Sequence, residues 1–340
     1  MKDIYSKFRK QLNNRQKGQL SKLVYYFMNL PTVKVDAIDP SKKFPNGEPG
    51  GLIISADFEM AWAWRYAKTG DDPLVKGQAE RENFPGILEI LEKFNIPITF
   101  ATVGHLFLEQ CEKGQHNWMR RIPHFNDHWK FTNGDWFDHD PCSNFKDAPE
   151  WYAPDLIQMI LDSKVEHEIA THTFSHIDFS YKNCPPPVAH DEMKACREAA
   201  KPFGVDLTSI VFPGGTWGNI EAVKDHEIQI YRRHVEYDLA YPYRDEHGLL
   251  VTPSSGCLEY NLTYGWSPEY YMKRLKRYVD KAIRTHTIVH LWFHPSLNPF
   301  LLKKVFPLFL DYVSWQRQMG RLWIGTMKEI SRHIHENHIV

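Results

Sequence analysis

Residues 165–176 of this 340-residue chain read VEHEIATHTFSH, three histidines and two glutamates in twelve positions. Imidazoles and carboxylates at such density can hold a metal ion, and the spacing decides which of them cooperate. His167 and His172 are five apart, so on a regular helix they would point ~140° away from each other. That disfavours the zinc-protease pattern H-E-x-x-H, whose histidines are four apart. His172 and His176 do have the four-residue spacing, and a helical turn would bring both rings to one side. They are the candidate ligand pair, and His167 is expected to be structural or to lie behind the ligands. In a chain with 18 histidines the pair alone is a weak signal, and it needs company.

Three other clusters supply it. Asp57-Phe58-Glu59 follows the apolar run LIISA, and residues two apart on a strand point the same way. Two carboxylates in one pocket push their pKa values apart unless a cation intervenes. One of them added to His172 and His176 makes a two-His, one-carboxylate set with positions open for water. VFPGGTWGN (211–219) has glycines that allow close backbone approach, and the N–H groups around Gly214, Gly215 and Thr216 are candidates to hold an oxyanion. Trp217 beside them is a candidate substrate contact. In HTIVHLWFHPSL (286–297), His290, Trp292 and His294 fall on one strand face. His294, at the strand end before Pro295, can act as a general acid.

The elements that must present these residues alternate. Strands are expected at Leu52–Ile54, over 95–104, at the start of VEHEIATH, at TSIVF before the Pro/Gly turn and over HTIVHLWFHP. Helices are expected near 84–93, over APDLIQMILDS, DEMKACREAAKPFG, GNIEAVKDHEI and SPEYYMKRLKRYVDKAIRT, and finally over KVFPLFLDYVSWQRQMG. Alternating strands and helices imply a parallel α/β sheet or barrel, with chemistry at the carboxyl ends of the strands. Residues 112–150 are rich in His, Asp, Trp and Asn, and make too long a connection to be idle in a compact domain.

Composition narrows the function classes. Nothing in a formal charge of −1 argues for bulk nucleic-acid binding. No stretch is long and apolar enough to span a bilayer, and no secretory signal is recognised. The five cysteines form no C-x-x-C and read as free thiols in a reducing, cytoplasmic setting. Aromatic residues reach 14%, which leaves Trp62, Trp64, Trp136 and Trp217 as candidates to stack on sugar rings as well as core. Residues 1–30 carry seven basic side chains against Asp3, with apolar residues at every fourth position. They read as amphipathic helix, packed on the main domain or resting on an anionic membrane face. Domain limits are drawn at 1–50 for this extension and its connector, and 51–340 for the main domain.

The ordered set (acid-x-acid after a strand, H-T-x-x-H preceded by HEI, a Pro/Gly turn, a strand ending L-x-x-H-P) resembles the NodB-homology polysaccharide deacetylases from about Gly51 to Met327. WYAPDLIQMI and VFP followed by YR resemble the branch associated with bacterial surface-polysaccharide genes. The resemblance implies an irregular (β/α) barrel and a metal-dependent removal of an N-acyl, chiefly N-acetyl, group from an amino sugar or sugar conjugate. It also implies roles: Asp57 as base, Glu59 with His172 and His176 as ligands to one divalent ion, zinc before other divalent transition metals, and His294 as late general acid. Glu59 stands where the family usually has Asp, and VFPGG lacks the family's base-orienting arginine, for which Arg232 of IYRRH is the candidate substitute. A cytoplasmic setting favours a nucleotide- or lipid-linked sugar over a secreted polymer. The alternatives are hydrolysis of another C–N bond, such as a formamide or cyclic ureide, and a sugar-binding relative that has lost turnover.

Overall fold

In the computed structural model, the described residues are 11–13, 15–20, 31–34, 44–65, 71–116, 137, 139–258, 267–296, 298 and 300–339. The scaffold is one sheet in the order β6-β7-β5-β4-β3-β2-β1-β9-β8, with β10 pairing the first half of β1. The strands are β1 (Gly50–Phe58), β2 (Thr99–Thr102), β3 (Glu168–Thr171), β4 (Ser209–Val211), β5 (Ile230–Arg233), β6 (Tyr243–Arg244), β7 (Leu250–Pro253), β8 (Gly256–Cys257), β9 (Ile288–Phe293) and β10 (Leu322–Gly325). All pairings are parallel except that of β6 with β7. The sheet curls into an irregular (β/α) barrel. Between β7 and β9 the chain closes it with side chains and a short link: Thr252 Oγ1 meets His290 Nδ1 at 2.9 Å, and the Ser255 N–H donates to His290 O.

β1 is the axis of the fold. All nine of its residues are buried, because it pairs with β2, β9 and β10 along different parts of its length. A strand covered on both faces reads as a continuous apolar run, as LIISA does. Helices α1 (Pro73–Phe94), α2 (Pro154–Leu161), α3 (Pro186–Ala200), α4 (Ile220–Asp225), α5 (Pro268–Thr285), α6 (Phe306–Gln318) and α7 (Met327–Glu336) pack outside it. Phe84 of α1 meets Phe58 and Phe100 at ring separations of 4.8 and 5.5 Å, and burying each such ring is worth ~1.5–3 kcal/mol.

Several elements depart from the sequence expectation. α1 starts eleven residues before Phe84, at Pro73, where Asp72 accepts from the Leu74 N–H. Its first half, PLVKGQAEREN, is polar and mostly solvent-facing, so it lacks an apolar rhythm. IYRR forms β5, although two arginines hide it, and β6 to β8 were not anticipated at all. The helix over KVFPLFLDYVSWQRQMG is not the last, since RLWIG supplies β10 and MKEISRHIHE supplies α7, opened by a capping box between Thr326 and Glu329.

The amphipathic segment read at 1–30 lies largely outside the described residues; 15–20 are helical. Part of the connector is tied to the barrel. Thr32 bonds Asp238, Val33 bridges Leu239, and Phe44 is buried against Tyr241 and Trp323.

Candidate active site

Because β1, β3, β4, β5 and β9 run parallel, their carboxyl ends gather Asp57 and Glu59, His172 and His176, the Pro213 turn, Arg232 and His294 at one mouth. The arrangement of HTFSH differs from the helical turn expected. Residues 172–176 form an irregular turn leaving β3, with Thr173 and His176 at φ of 60° and 55°. Non-glycine residues in this region cost on the order of 1–3 kcal/mol each and persist only where the surroundings enforce them. Here the enforcement is visible. Buried Glu192 of α3 accepts from the Phe174 N–H at 2.9 Å, the Ser175 N–H at 3.0 Å and the Ser175 hydroxyl at 2.9 Å. The Arg65 guanidinium donates to Ser175 O at 2.8 Å and to Trp62 O.

The turn delivers both imidazoles to one carboxylate oxygen. His172 Nε2 is 2.8 Å and His176 Nε2 3.0 Å from Glu59 Oε1. His294 Nε2 lies 3.5 Å from Glu59 Oε2, and that oxygen is buried with no hydrogen-bond partner. All of these groups are buried except His294, whose side chain is 18% exposed. Burial pushes the Glu59 carboxyl upward, but the charges of His176 and His294 and the bonds from His172 and His176 outweigh it and hold it well below the carboxylate range.

The donor chemistry fits a cation. His172 Nδ1 is 2.6 Å from Val211 O, and a carbonyl can only accept, so Nδ1 carries the hydrogen. If the ring carries only that hydrogen, Nε2 is a lone pair aimed at a carboxylate, an arrangement that a positive ion between them satisfies. Glu59 Oε2 is buried without a hydrogen bond, with His294 Nε2 3.5 Å away, and is a further acceptor for a cation.

Asp57 is held differently. Its two oxygens take parallel bonds from Arg232, Nη1 to Oδ1 at 2.7 Å and Nη2 to Oδ2 at 2.6 Å, while Nη1 also reaches Ser55 Oγ at 2.7 Å. His290 Nε2 meets Ser55 Oγ at 2.9 Å, and the Trp292 ring lies under the guanidinium at 5.0 Å. His290 is therefore part of the frame behind Asp57, not of the mouth. Burial first, then the Arg232 and His234 charges, hold it well below the usual histidine range, so it is a neutral ring.

Other sequence candidates separate on inspection. In the glycine turn the N–H groups of Gly215, Thr216 and Trp217 are bonded inside the turn, to Phe212 O, Pro213 O and Gly215 O. Gly215 and Thr216 are thus not the outward donors expected, and Gly214, at φ 58°, is the remaining amide of the set. Thr216 instead ties the turn to Phe179. Trp217 lies beneath Arg233 at 4.2 Å. Trp62 is fully buried among His105, Phe137 and Trp151, so it is core and not a sugar platform. Trp64 flanks His294 at 5.5 Å. Trp136 lies outside the described residues. His167 is at the opposite end of β3, accepting from the Ile98 N–H at 3.2 Å, and burial lowers it to about 4.

Three site residues were missed in the sequence. Glu80 of α1 is buried and accepts from the Glu59 N–H at 3.1 Å. Burial, then the Glu59 charge, push it well above the carboxylate range. Glu192 has no local motif. Ser55 was legible in principle, since it shares the strand face of Asp57.

Residues 69–231 match the family model described as polysaccharide deacetylase. A search of curated proteins finds no significant match. Among solved structures, the chain is similar to a protein described as a polysaccharide deacetylase from Mycobacterium smegmatis (TM-score 0.62, 15% identity, covering 89% of this chain and 96% of that one). It is comparably similar to one so described from Pseudomonas aeruginosa PAO1 (0.60, 15%, 94% and 98%), and to the PuuE allantoinase (0.59, 15%, 94% and 98%). At such identities these likenesses speak for the fold.

Proposed function

From the match of residues 69–231 to the polysaccharide deacetylase model, we propose that this chain is a metal-dependent hydrolase removing an N-acyl group, chiefly N-acetyl, from an amino sugar or sugar conjugate. The observation that carries the reading is the pairing of two separate carboxylates at one mouth: Glu59 faced by His172 and His176, and Asp57 clamped by Arg232. Ligand and base are different tasks, and the two acids have different partners.

Glu59, His172 and His176 would hold one divalent ion, zinc by its preference for imidazole and carboxylate. When bound, such an ion supplies Lewis-acid polarisation of the acyl oxygen and acidifies a bound water. Asp57, oriented through both oxygens by Arg232, takes the proton of the attacking water. The Gly214 N–H is the amide of the glycine turn left to face developing negative charge on the acyl oxygen. As the C–N bond breaks, His294 gives its proton to the leaving nitrogen, which is too basic to depart as an anion. Trp64 and Trp292, flanking His294 at 5.5 Å each, narrow the approach to it.

All five cysteines are free, which supports a reducing compartment and hence a nucleotide- or lipid-linked sugar. Among the described residues no helix is long and apolar enough to cross a membrane. The basic segment 1–30 would give a weak contact with an anionic leaflet. The test is mass spectrometry of products from a panel of N-acyl amino sugars, with allantoin and formamides as the competing class, on protein of measured metal content. Loss of an acyl mass from a sugar substrate, abolished by chelation, is expected. Turnover of ureides alone would overturn the substrate assignment.

A further inference from the structure

The long connection after β2 builds a second cluster of ligand-type side chains, beside the HTFSH turn. His105, in the turn Gly104–Phe107, Cys111, His116 and Asp140 bring one ligand atom each to within 4.8 Å of one another. Cys111 Sγ is 3.4 and 3.6 Å from the two oxygens of Asp140, and His105 Nε2 is 3.5 Å from Asp140 Oδ2. The side chains of His105 and Asp140 are 0% and 1% exposed. His105 Nδ1 is buried with no hydrogen-bond partner, and Nε2 has the long contact to Asp140 Oδ2. A buried imidazole left this way costs on the order of 1–3 kcal/mol per unsatisfied group. Protons alone account for Cys111, which also meets the Tyr152 hydroxyl at 3.0 Å, and for His105 Nε2 against Asp140, but they leave His105 Nδ1 unexplained.

The backbone holds the four in place independently of any ion. Gln110 and Asn144 form an antiparallel bridge, the Phe145 N–H donates to Glu109 O, and the Cys111 N–H donates to Ser143 O. The Cys142 N–H bonds Asp140 Oδ1 at 2.9 Å and fixes that carboxylate. The His116 ring stacks on Phe137 at 4.9 Å. Each ligand therefore comes from a braced position.

We propose that His105, Cys111, His116 and Asp140 form a second, structural site for a divalent zinc-type ion. One thiolate, two imidazoles and one carboxylate are the borderline-soft N/S/O set that zinc selects. Four protein ligands close a tetrahedral site and leave no position for water, unlike the three-ligand set at Glu59. The ion would tie Asp140 to His105, Cys111 and His116. It would also brace the catalytic turn from behind. The His105 N–H donates to Phe174 O, the Gly104 N–H donates to Thr173 O, and the His105 ring packs on Trp62 at 4.4 Å.

A cysteine belongs only to this second site, which gives it its own spectroscopic signature. Full-length protein is freed of metal by dialysis against a chelator and reloaded with Co²⁺. It should take up about two ions per chain and show a thiolate-to-cobalt charge-transfer band. His172→Ala should lose one ion and keep the band. Cys111→Ser should lose one ion and the band together. If Cys111→Ser does not fold, wild type and His172→Ala decide between them, since the three-ligand set contains no sulfur. Cobalt-loaded wild type without the band, or a band that survives Cys111→Ser, overturns the proposal. Failure of the Glu59 site instead leaves one ion per chain with the band intact.

Discussion

Replacing Arg232 with lysine tests the division of labour between the two acids. The guanidinium makes three bonds, two of them parallel and charge-assisted to Asp57 and one to Ser55. Lysine keeps the positive charge but cannot reproduce a planar fork. It retains at most one of the Asp57 bonds. A lost hydrogen bond to a charged group is worth about 1.5–3 kcal/mol. If that energy orients the base in the transition state, kcat falls on the order of 10- to 150-fold. Arg232 would position Asp57 without touching substrate, so KM should move little and the Glu59 ion should stay. The assay is steady-state acetate release on the sugar found active in the panel, with metal content and thermal midpoint measured on the same preparation. Combining Arg232→Lys with Asp57→Asn should cost no more than Asp57→Asn alone, because both act through one group. Unchanged kcat, loss of the metal, or additive effects in the double variant would each refute the assignment of Arg232 as the base-positioning residue.

His172→Ala should remove the ion held with Glu59 and His176, read by elemental analysis; full retention would sink the ligand set. Asp57→Asn should cut kcat far more deeply than Arg232→Lys while metal content stays constant, and loss of metal would mean that Asp57 and Glu59 exchange roles. His167, lowered by burial to about 4 from the ordinary 6.5, is a neutral buried ring. Its contribution to stability is present above about pH 6.5 and is lost as pH falls through about 4, amounting to about 3 kcal/mol across that window. His167→Gln, which keeps an acceptor for the Ile98 N–H, should flatten the fall of the denaturant midpoint between these values; an unchanged slope refutes it. Deleting residues 1–30 should abolish salt-sensitive binding to anionic liposomes and leave hydrolysis of a soluble substrate intact, whereas a deletion that makes the protein insoluble favours a helix covering the barrel.

What could be read from the sequence was whatever depends on local spacing. The LIISA run, the strand-end positions of Asp57, His172 and His294, and helices α2, α3 and α5 all follow from periodicity and from turn residues beside them. The four-residue interval of His172 and His176 also marked the pair, although the shape that realises it is a braced irregular turn. That shape depends on Glu192, twenty positions beyond His172 and on another element, and no local pattern encodes it. The same holds for β5, whose two arginines disguise a buried strand until Asp57, 175 residues away in sequence, supplies the partner that makes Arg232 tolerable inside. A buried charge is stable only where its counter-charge arrives. The second cluster is the clearest case. His105, Cys111, His116 and Asp140 look like scattered polar residues of a long connection, and the pairing of 109–111 with 143–145 helps bring one candidate ligand atom of each within 4.8 Å of the others. Sequence spacing determines which residues share a face of one element. Which elements share a site is decided by long-range pairing, because the hydrogen bonds and burial that enforce it belong to both partners at once.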